Sequence, residues 1–396
     1  MKNILVINSG SSSIKFQLFK MPEAKVEASG LVERIGLEDA TIHYKTEKVN
    51  HEERIKIPDH SVGLREISRL LMDEKNGVIK NAADIDIVGH RVVHGGAAFS
   101  DTILIDKAVK NKIKDLFNLA PLHNPPNYTG IEVAENIFPK AKQVAVFDTA
   151  FHQSIPVKAH KYAIPNEFHE KYRIRLYGFH GTSHKYVHTK TLEYLAKPVS
   201  KVITVHLGNG CSITAINDGK SVDHSLGFGP VNGLIMGTRS GDIDQSVIFY
   251  LVEKLGYTLP EVSELLHKKS GMLGLTGFSD LRNIEEEASK GNKDCMLALE
   301  MNAYRIKKYI GSYVAAMNGI DALVFTAGIG ENSSTLRRMV CSDMEYLGIN
   351  IDSNKNNIRS KDIRLISPEN SKVDVLVVPT NEELEIARQA YQLLKV

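Results

Sequence analysis

Cysteine is scarce in this sequence: three residues, Cys211, Cys295 and Cys341, odd in number and widely spaced along 396 positions. A disulfide framework is excluded, and free thiols in a reducing, cytoplasmic setting are expected. Cys211 lies in a Gly-rich loop, where a small buried residue is expected rather than a nucleophile. Long apolar runs are missing as well. None approaches the roughly 18 residues of a membrane-spanning helix. A strand beginning almost at residue 1 is expected to leave no room for a signal peptide. Nor does one sign of charge prevail: 49 Lys and Arg face 47 Asp and Glu, a net +2. There is no long basic run, so dedicated binding to nucleic acid or membrane is not expected, although a local positive patch would not register in that sum. What remains is an ordinary soluble composition, 42% hydrophobic and 24% charged, with length for about two to three domains.

What is present is a pattern that occurs twice. Ile4–Ser9 runs as a strand into Gly10-Ser11-Ser12-Ser13 and out again, with Ile14, Phe16 and Leu18 alternating with Lys15 and Gln17. Val202–Leu207 runs into Gly208-Asn209-Gly210, after which Cys211, Ile213 and Ala215 alternate with Ser212 and Thr214. Alternation of period two is the signature of a strand, so both loops are expected to close β-hairpins. Neither is a P-loop: Lys15 stands at the right distance from Gly10, but the second glycine is missing and no helix follows. Gly208-Asn209-Gly210 likewise lacks the third glycine of a dinucleotide fingerprint. Gly10 and Gly208 lie 198 residues apart, half of the chain, which suggests a duplicated domain with two loops facing one cleft. Glycines and small hydroxyl residues let backbone N–H groups approach a phosphate closely.

Along the chain, strands with polar turns are expected to residue 58 and a helix over 61–75. Ile85–His94 and Gln143–Asp148 read as buried strands, separated by a Pro/Asn-rich turn (121–127) and a helix ending near Pro139. Further strands are expected at 202–216, 322–326 and near 373–378, with helices at about 243–256, 260–269 and 294–318. The final helix reads as opening on a capping box, with Thr380 and Glu383 satisfying its first N–H groups. Strands mixed with helices, and glycines at strand ends, fit an α/β protein that binds ligands at the carboxyl ends of its strands.

Several constellations carry chemistry. Asp148 ends an apolar strand, as either a cap or a catalytic acid. Arg91 and Arg239 sit between glycines, poorly placed for packing and well placed to reach an oxyanion with a planar fork. His180 and His184 are four apart, but Gly181 and the lack of H-E-x-x-H argue against zinc. A hydrogen-bonding role in a phosphate cleft suits His180, and a structural one His184. Gly328 and Gly330 follow a strand and would let a flat ligand lie on bare backbone.

Taken together, Asn8–Lys15, His90–Gly96, Gly178–His184, His206–Gly210, Met236–Asp242 and Phe325–Asn332 resemble signatures of the acetate kinase family, over nearly the whole chain. The resemblance implies the duplicated, two-lobed actin-like (ribonuclease H-like) α/β fold, with the active site in the interdomain cleft and hinge closure around it. One lobe would comprise residues 1–149 and 382–396, the other 150–381. Members of that family are usually homodimers that use ATP and Mg²⁺ (or Mn²⁺) to convert acetate reversibly to acetyl phosphate.

Carried over by position, the resemblance assigns Asn8 and Glu382 to the metal, leaving Glu383 for the helix cap. It assigns Lys15, His206, Leu207, Gly208, Asn209, Gly210, Asp280, Leu281, Arg282, Gly328, Ile329, Gly330, Glu331 and Asn332 to the nucleotide. Arg91 would contact the substrate carboxylate, and Asp148 would be the catalytic carboxylate. His180 and Arg239 would stabilise the transition state, and Val93, Leu122, Phe179 and Pro230 would enclose the acyl methyl group. An acetate nucleophile has no proton to lose near pH 7. Asp148 is therefore expected to position the metal, its water or an arginine rather than act as a general base.

Five positions depart from the family pattern: Gly229, Val231 and Asn232, since Gly229-Pro230-Val231-Asn232-Gly233 replaces T-P-L-E-G, with Gln245 for proline and His224 for threonine. Val93 favours acetate over propionate, and Gly328-Ile329 favours an adenine nucleotide over pyrophosphate. The alternatives are a propionate or butyrate kinase of the same superfamily, a chaperone-like ATPase on the shared fold, and a sugar kinase. The last is disfavoured by cationic partners that suit a carboxylate.

Overall fold

In a computed structural model describing residues 1–395, each of the two Gly/Ser loops closes an antiparallel hairpin, and each hairpin lies within its own sheet. The chain divides into two compact units, Met1–Phe151 with the residues from Asn381 on, and His152–Thr380.

The first unit is built on eight strands: β1 (Lys2–Ser9), β2 (Ser13–Met21), β3 (Lys25–Glu33), β4 (Thr41–Thr46), β5 (Asn50–Arg54), β6 (Ile87–Val92), β7 (Ile103–Leu104) and β8 (Lys142–Phe147). Their order is β5-β4-β3-β2-β1-β6-β8-β7. β1, β6 and β8 run parallel, and the remaining pairs are antiparallel. The period of two sends Ile4 and Val6 to one face and Leu5 and Ile7 to the other. On the first face lies the C-terminal helix Glu382–Leu393, held by Ile386, Ala387 and Ala390. It comes so close to the sheet that a Cβ on Gly89 would lie 2.9 Å from Ile386 Cγ2. The other face is covered by the helices His60–Leu71 and Asn124–Ile137.

The second unit has six strands: β9 (Lys201–Leu207), β10 (Cys211–Asn217), β11 (Lys220–His224), β12 (Ala322–Thr326), β13 (Arg364–Leu365) and β14 (Asp374–Val377). Their order, β11-β10-β9-β12-β14-β13, repeats β3-β2-β1-β6-β8-β7 strand for strand, with β9, β12 and β14 parallel. Duplication is thus written into the sheet topology. β12 is buried along its whole length, as a central parallel strand covered on both faces must be. The 25-residue helix Lys293–Met317 packs here through Leu299, Ala303, Ile306, Ile310 and Tyr313, spaced three and four apart.

Two local expectations need correcting. The last helix begins at Glu382 with Asn381 as its cap, accepting from Leu384 N, and not with Thr380. Thr380 Oγ1 is engaged by Ser183 Oγ at 2.8 Å. Glu383, 4% exposed, holds Lys15 Nζ at 2.9 Å and so does not cap the helix. The Pro/Asn turn is largely helical: Asn124–Ile137 takes Pro125 and Pro126 into its first turn, where a missing N–H costs no hydrogen bond.

Candidate active site

Because β1, β6 and β8 are parallel, their carboxyl ends gather Asn8, Arg91 and Asp148 at one edge of the first unit. Arg91 Nη2 donates to Asp148 Oδ2 at 2.7 Å and Nη1 to Asn8 Oδ1 at 3.3 Å, while Nε lies 3.9 Å from Glu382 Oε2. Asp148 is fully buried. Burial works against charge on Arg91, but Asp148 and Glu382 outweigh it and hold the guanidinium pKa above its ordinary value. Glu382 is pushed up to about 7, first by burial and then by Asp148 and Glu383, against the pull of Arg91 and Lys15.

Three carboxylates (Asp148, Glu382, Glu383) therefore share two cations (Arg91, Lys15), an imbalance that a further cation would relieve. The oxygen donors of Asn8 and Glu382 fit a hard divalent ion. Among the described residues no group of three or more His, Cys, Asp or Glu could hold a metal. The protein oxygens would thus supply only part of a coordination shell, as is usual where waters and phosphates complete it.

Next to Arg91 the backbone is fixed from the first turn of the helix Asn124–Ile137. Asn127 Oδ1 accepts from Val93 N at 3.0 Å, and its Nδ2 donates to Ser9 O at 2.6 Å. Asn124 bonds both backbone groups of His94. These two asparagines tie the strand ends of β1 and β6 together. Val93 itself is buried, at 6% exposure, whereas Leu122 is 61% exposed.

In the second unit, Phe179 is buried and Pro230 half-buried. Both backbone groups of Phe179 are held by histidines: its N–H donates to His224 Nε2 at 3.1 Å, and its carbonyl accepts from His152 Nε2 at 3.0 Å. His224, the departure from threonine, thus fixes the backbone of the expected pocket wall.

His180 takes the left-handed conformation (φ 57°) just before the helix Gly181–Leu195, a strain of roughly 1–2 kcal/mol for a non-glycine residue. Its ring stacks on His206, centroids 4.4 Å apart. A Cβ placed on Gly210 would lie 3.4 Å from His180 Nε2 and 3.7 Å from Arg239 Nη1, so all three border one small space. Arg239 donates to Pro230 O at 3.0 Å and has no carboxylate partner among the described residues. Burial lowers its pKa. A half-buried guanidinium that has no carboxylate partner is a ready site for an anion. The loop carrying it is tied down from several sides. Gly237 N donates to Asn209 O at 3.1 Å, and a Cβ on Gly237 would lie 2.2 Å from Asn209 Oδ1. Asp242 Oδ1 accepts from Gly233 N, and Oδ2 accepts from Tyr309 Oη at 2.6 Å.

A cavity of about 720 Å³ opens in the same unit, lined by Gly208, Asn209, Asp280, Leu281, Arg282, Gly328, Ile329 and Asn332, eight of the residues expected at a nucleotide. Its size lies within the range of small-molecule sites. Gly328 faces open space. Asp280 caps the helix Leu281–Ser289 and is paired with Arg282 at 2.5 Å, which lowers its pKa to about 2. Glu331 is turned away, its Oε1 accepting from Thr380 N. Lys15 belongs to the first unit.

Sequence reasoning missed Ser279, Glu285, Ser333 and Arg359 on the cavity wall. It also missed buried Arg337, which donates to Gly330 O at 2.8 Å and to both oxygens of Asn356, bracing the turn that Gly330 and Glu331 form. An arginine three residues into a short helix gives no such signal by itself. Asn124 and Asn127 could have been suspected from the density of asparagine in the Pro/Asn stretch.

Comparison with known proteins places these observations in a family. The model of the acetokinase family matches residues 3–388. A curated acetate kinase of Flavobacterium johnsoniae is 63% identical over 392 residues, 99% of this chain and 99% of its own. Among solved structures, Porphyromonas gingivalis acetate kinase superposes with a TM-score of 0.95 at 45% identity, covering 100% of both chains. A propionate kinase from Francisella tularensis superposes with a TM-score of 0.93 at 42% identity, over 99% of this chain and 100% of its own.

Proposed function

The chain belongs to the acetokinase family, and from that premise we propose that it catalyses reversible phosphoryl transfer from ATP to acetate, giving acetyl phosphate and ADP. The observation that carries the acceptor is Arg91, held by Asp148 and followed two residues on by the apolar Val93: a fixed cationic fork close to a small apolar side chain suits a short carboxylate.

Transfer to a carboxylate requires little covalent help; the obstacle is bringing two anions together. Arg91 binds the acetate oxygens, and Asp148 keeps the guanidinium aimed. By the family resemblance, Val93, Phe179, Pro230 and Leu122 would be the residues that meet the methyl group. The nucleotide occupies the cavity at Gly208–Gly210, Asp280–Arg282 and Gly328–Asn332, with Lys15 serving its phosphates. Arg239 and His180 donate to the equatorial oxygens of the transferring group, where preorganised donors stabilise developing charge most. Asn8 and Glu382 would hold Mg²⁺ or Mn²⁺, which when bound neutralises phosphate charge. An acetate carboxylate oxygen bonds to the γ-phosphorus in line as the bond from that phosphorus to ADP breaks, with no phosphorylated residue.

A homodimer is supported by the surface of the second unit. The helix Ser246–Glu253 has no buried residue, yet Val247, Phe249 and Tyr250 are 44%, 63% and 59% exposed. Leu255 and Leu259 continue the patch along the chain. So large an apolar face calls for a partner, and we assign a second copy. Phe249→Glu should convert a dimer to a monomer by light scattering; a wild-type monomer would refute the assignment. No helix among the described residues is long and apolar enough to cross a membrane, and three buried free cysteines favour a cytoplasmic setting.

The test is ADP formation with and without acetate. Strict dependence on acetate and a divalent ion supports the reading, whereas ATP hydrolysis indifferent to acetate would favour an ATPase. The propionate kinase likeness keeps propionate as a secondary acceptor.

A further inference from the structure

Behind His180 runs a chain of side-chain hydrogen bonds with a determinable direction. Thr204 Oγ1 lies 2.7 Å from His184 Nδ1, His184 Nε2 lies 2.7 Å from Ser212 Oγ, and Ser212 Oγ lies 2.9 Å from His180 Nδ1. Thr204, His184 and Ser212 are all fully buried, and among the described residues their side chains make no other hydrogen bond.

We infer that Thr204, His184 and Ser212 are positioning residues that lock His180 as a neutral ring with its proton on Nε2, the nitrogen beside Arg239 and Gly210. The direction follows from counting hydrogens. A buried hydroxyl 2.7 Å from an acceptor donates to it rather than leave its proton unpaired, and among the described residues the acceptor within reach of Thr204 Oγ1 is His184 Nδ1. That nitrogen is therefore bare. Burial and the neighbouring imidazoles His152, His206 and His180 hold His184 well below the usual histidine range, so it is neutral and carries its one proton on Nε2. Nε2–H then donates to Ser212 Oγ. The Ser212 proton has one acceptor left, His180 Nδ1. With Nδ1 occupied as an acceptor, a neutral His180 bears its proton on Nε2.

A second observation agrees. His180 faces the Arg239 guanidinium across Gly210 and stacks on His206. A cation in that place would be repelled by Arg239, whereas a neutral N–H donor is tolerated. His180 is thereby preset to offer a hydrogen bond without giving up a proton. The reverse orientation of the chain would turn a lone pair toward any phosphoryl oxygen and repel it.

This inference rests on the role given to His180 above, and the two are separable by experiment. The ring nitrogens of His180 are read by long-range ¹H–¹⁵N correlation on the full-length, ligand-free protein labelled with ¹⁵N-histidine, assigned by the signals lost in His180→Asn. The expected result is an unprotonated Nδ1 and a protonated Nε2. Ser212→Ala should erase that preference and lower kcat on the order of 10- to 100-fold, the size typical of residues that orient a functional imidazole. KM for ATP and acetate should stay within about threefold, and Ser212→Thr, which keeps the hydroxyl, should recover most of kcat. A proton on Nδ1 in the wild type, or an unchanged tautomer in Ser212→Ala, overturns the chain. A protonated Nε2 that is lost in Ser212→Ala without any fall in kcat overturns instead the role of His180 in transfer.

Discussion

Replacing Asp148 by asparagine separates orientation from acid–base chemistry. The change preserves shape and removes one charge. Asp148, fully buried, accepts from the half-buried Arg91 at 2.7 Å. A hydrogen bond between charged groups contributes about 1.5–3 kcal/mol, and its neutral counterpart about 0.5–1.5. The difference, about 1–2 kcal/mol, is roughly 5- to 30-fold in rate at about 1.4 kcal/mol per tenfold. It should appear in kcat/KM for acetate, because Arg91 is the carboxylate contact, while KM for ATP changes little. Asp148→Ala should be worse. It leaves the half-buried Arg91 without its nearest partner, a loss of about 3–5 kcal/mol when one member of a buried pair is removed, visible as a lower melting temperature as well as lost activity. Steady-state kinetics with acetate varied at saturating MgATP decide the matter. If Asp148→Asn stayed within twofold of wild type in kcat/KM for acetate, with the same metal dependence, the positioning role would be wrong.

Gly328→Val would fill open space on the cavity wall and should raise KM for ATP on the order of tenfold, judged from a 1–3 kcal/mol overpacking cost, without moving KM for acetate. Val93→Ala should enlarge the acyl surface and shift the propionate-to-acetate ratio of kcat/KM upward by about tenfold, the worth of a methylene. Asp223 tests the electrostatics away from the site: burial pushes its pKa up to about 6. A carboxyl raised in the folded state favours folding when protonated, so stability from this group falls as pH rises from about 4 to 6 and stays lower above. Asp223→Asn keeps the acceptor for His224 N and should stabilise the protein by about 1–2 kcal/mol at pH 7.5, with little gain at pH 4, by thermal melts at both values.

The duplicated fold was legible because its signal is local. Alternation of period two around Gly10 and Gly208 defines hairpins whatever surrounds them, and β12 reads as a nearly continuous apolar run. The candidate site was legible where glycines flank a charged residue, as at Arg91 and Arg239, since such a side chain has little packing to do. What escaped depends on partners remote in sequence. Glu383 reads as a helix cap until Lys15, some 370 positions earlier, is seen to claim it. Thr380 reads as an N-cap until Ser183 takes its hydroxyl. Ser212 and Thr204 look like ordinary polar residues of alternating strands; only the pairing of β9 with β10 places them on either side of His184.

Which acid receives the phosphoryl group is read directly by one assay. Purified protein with MgATP and equal concentrations of acetate, propionate or butyrate, its acyl phosphate trapped as the hydroxamate, should give product fastest with acetate. Propionate should follow at a lower rate and butyrate lower still. Abundant hydroxamate from butyrate with little from acetate, or none from any acid while ADP accumulates, would contradict acetate as the acceptor.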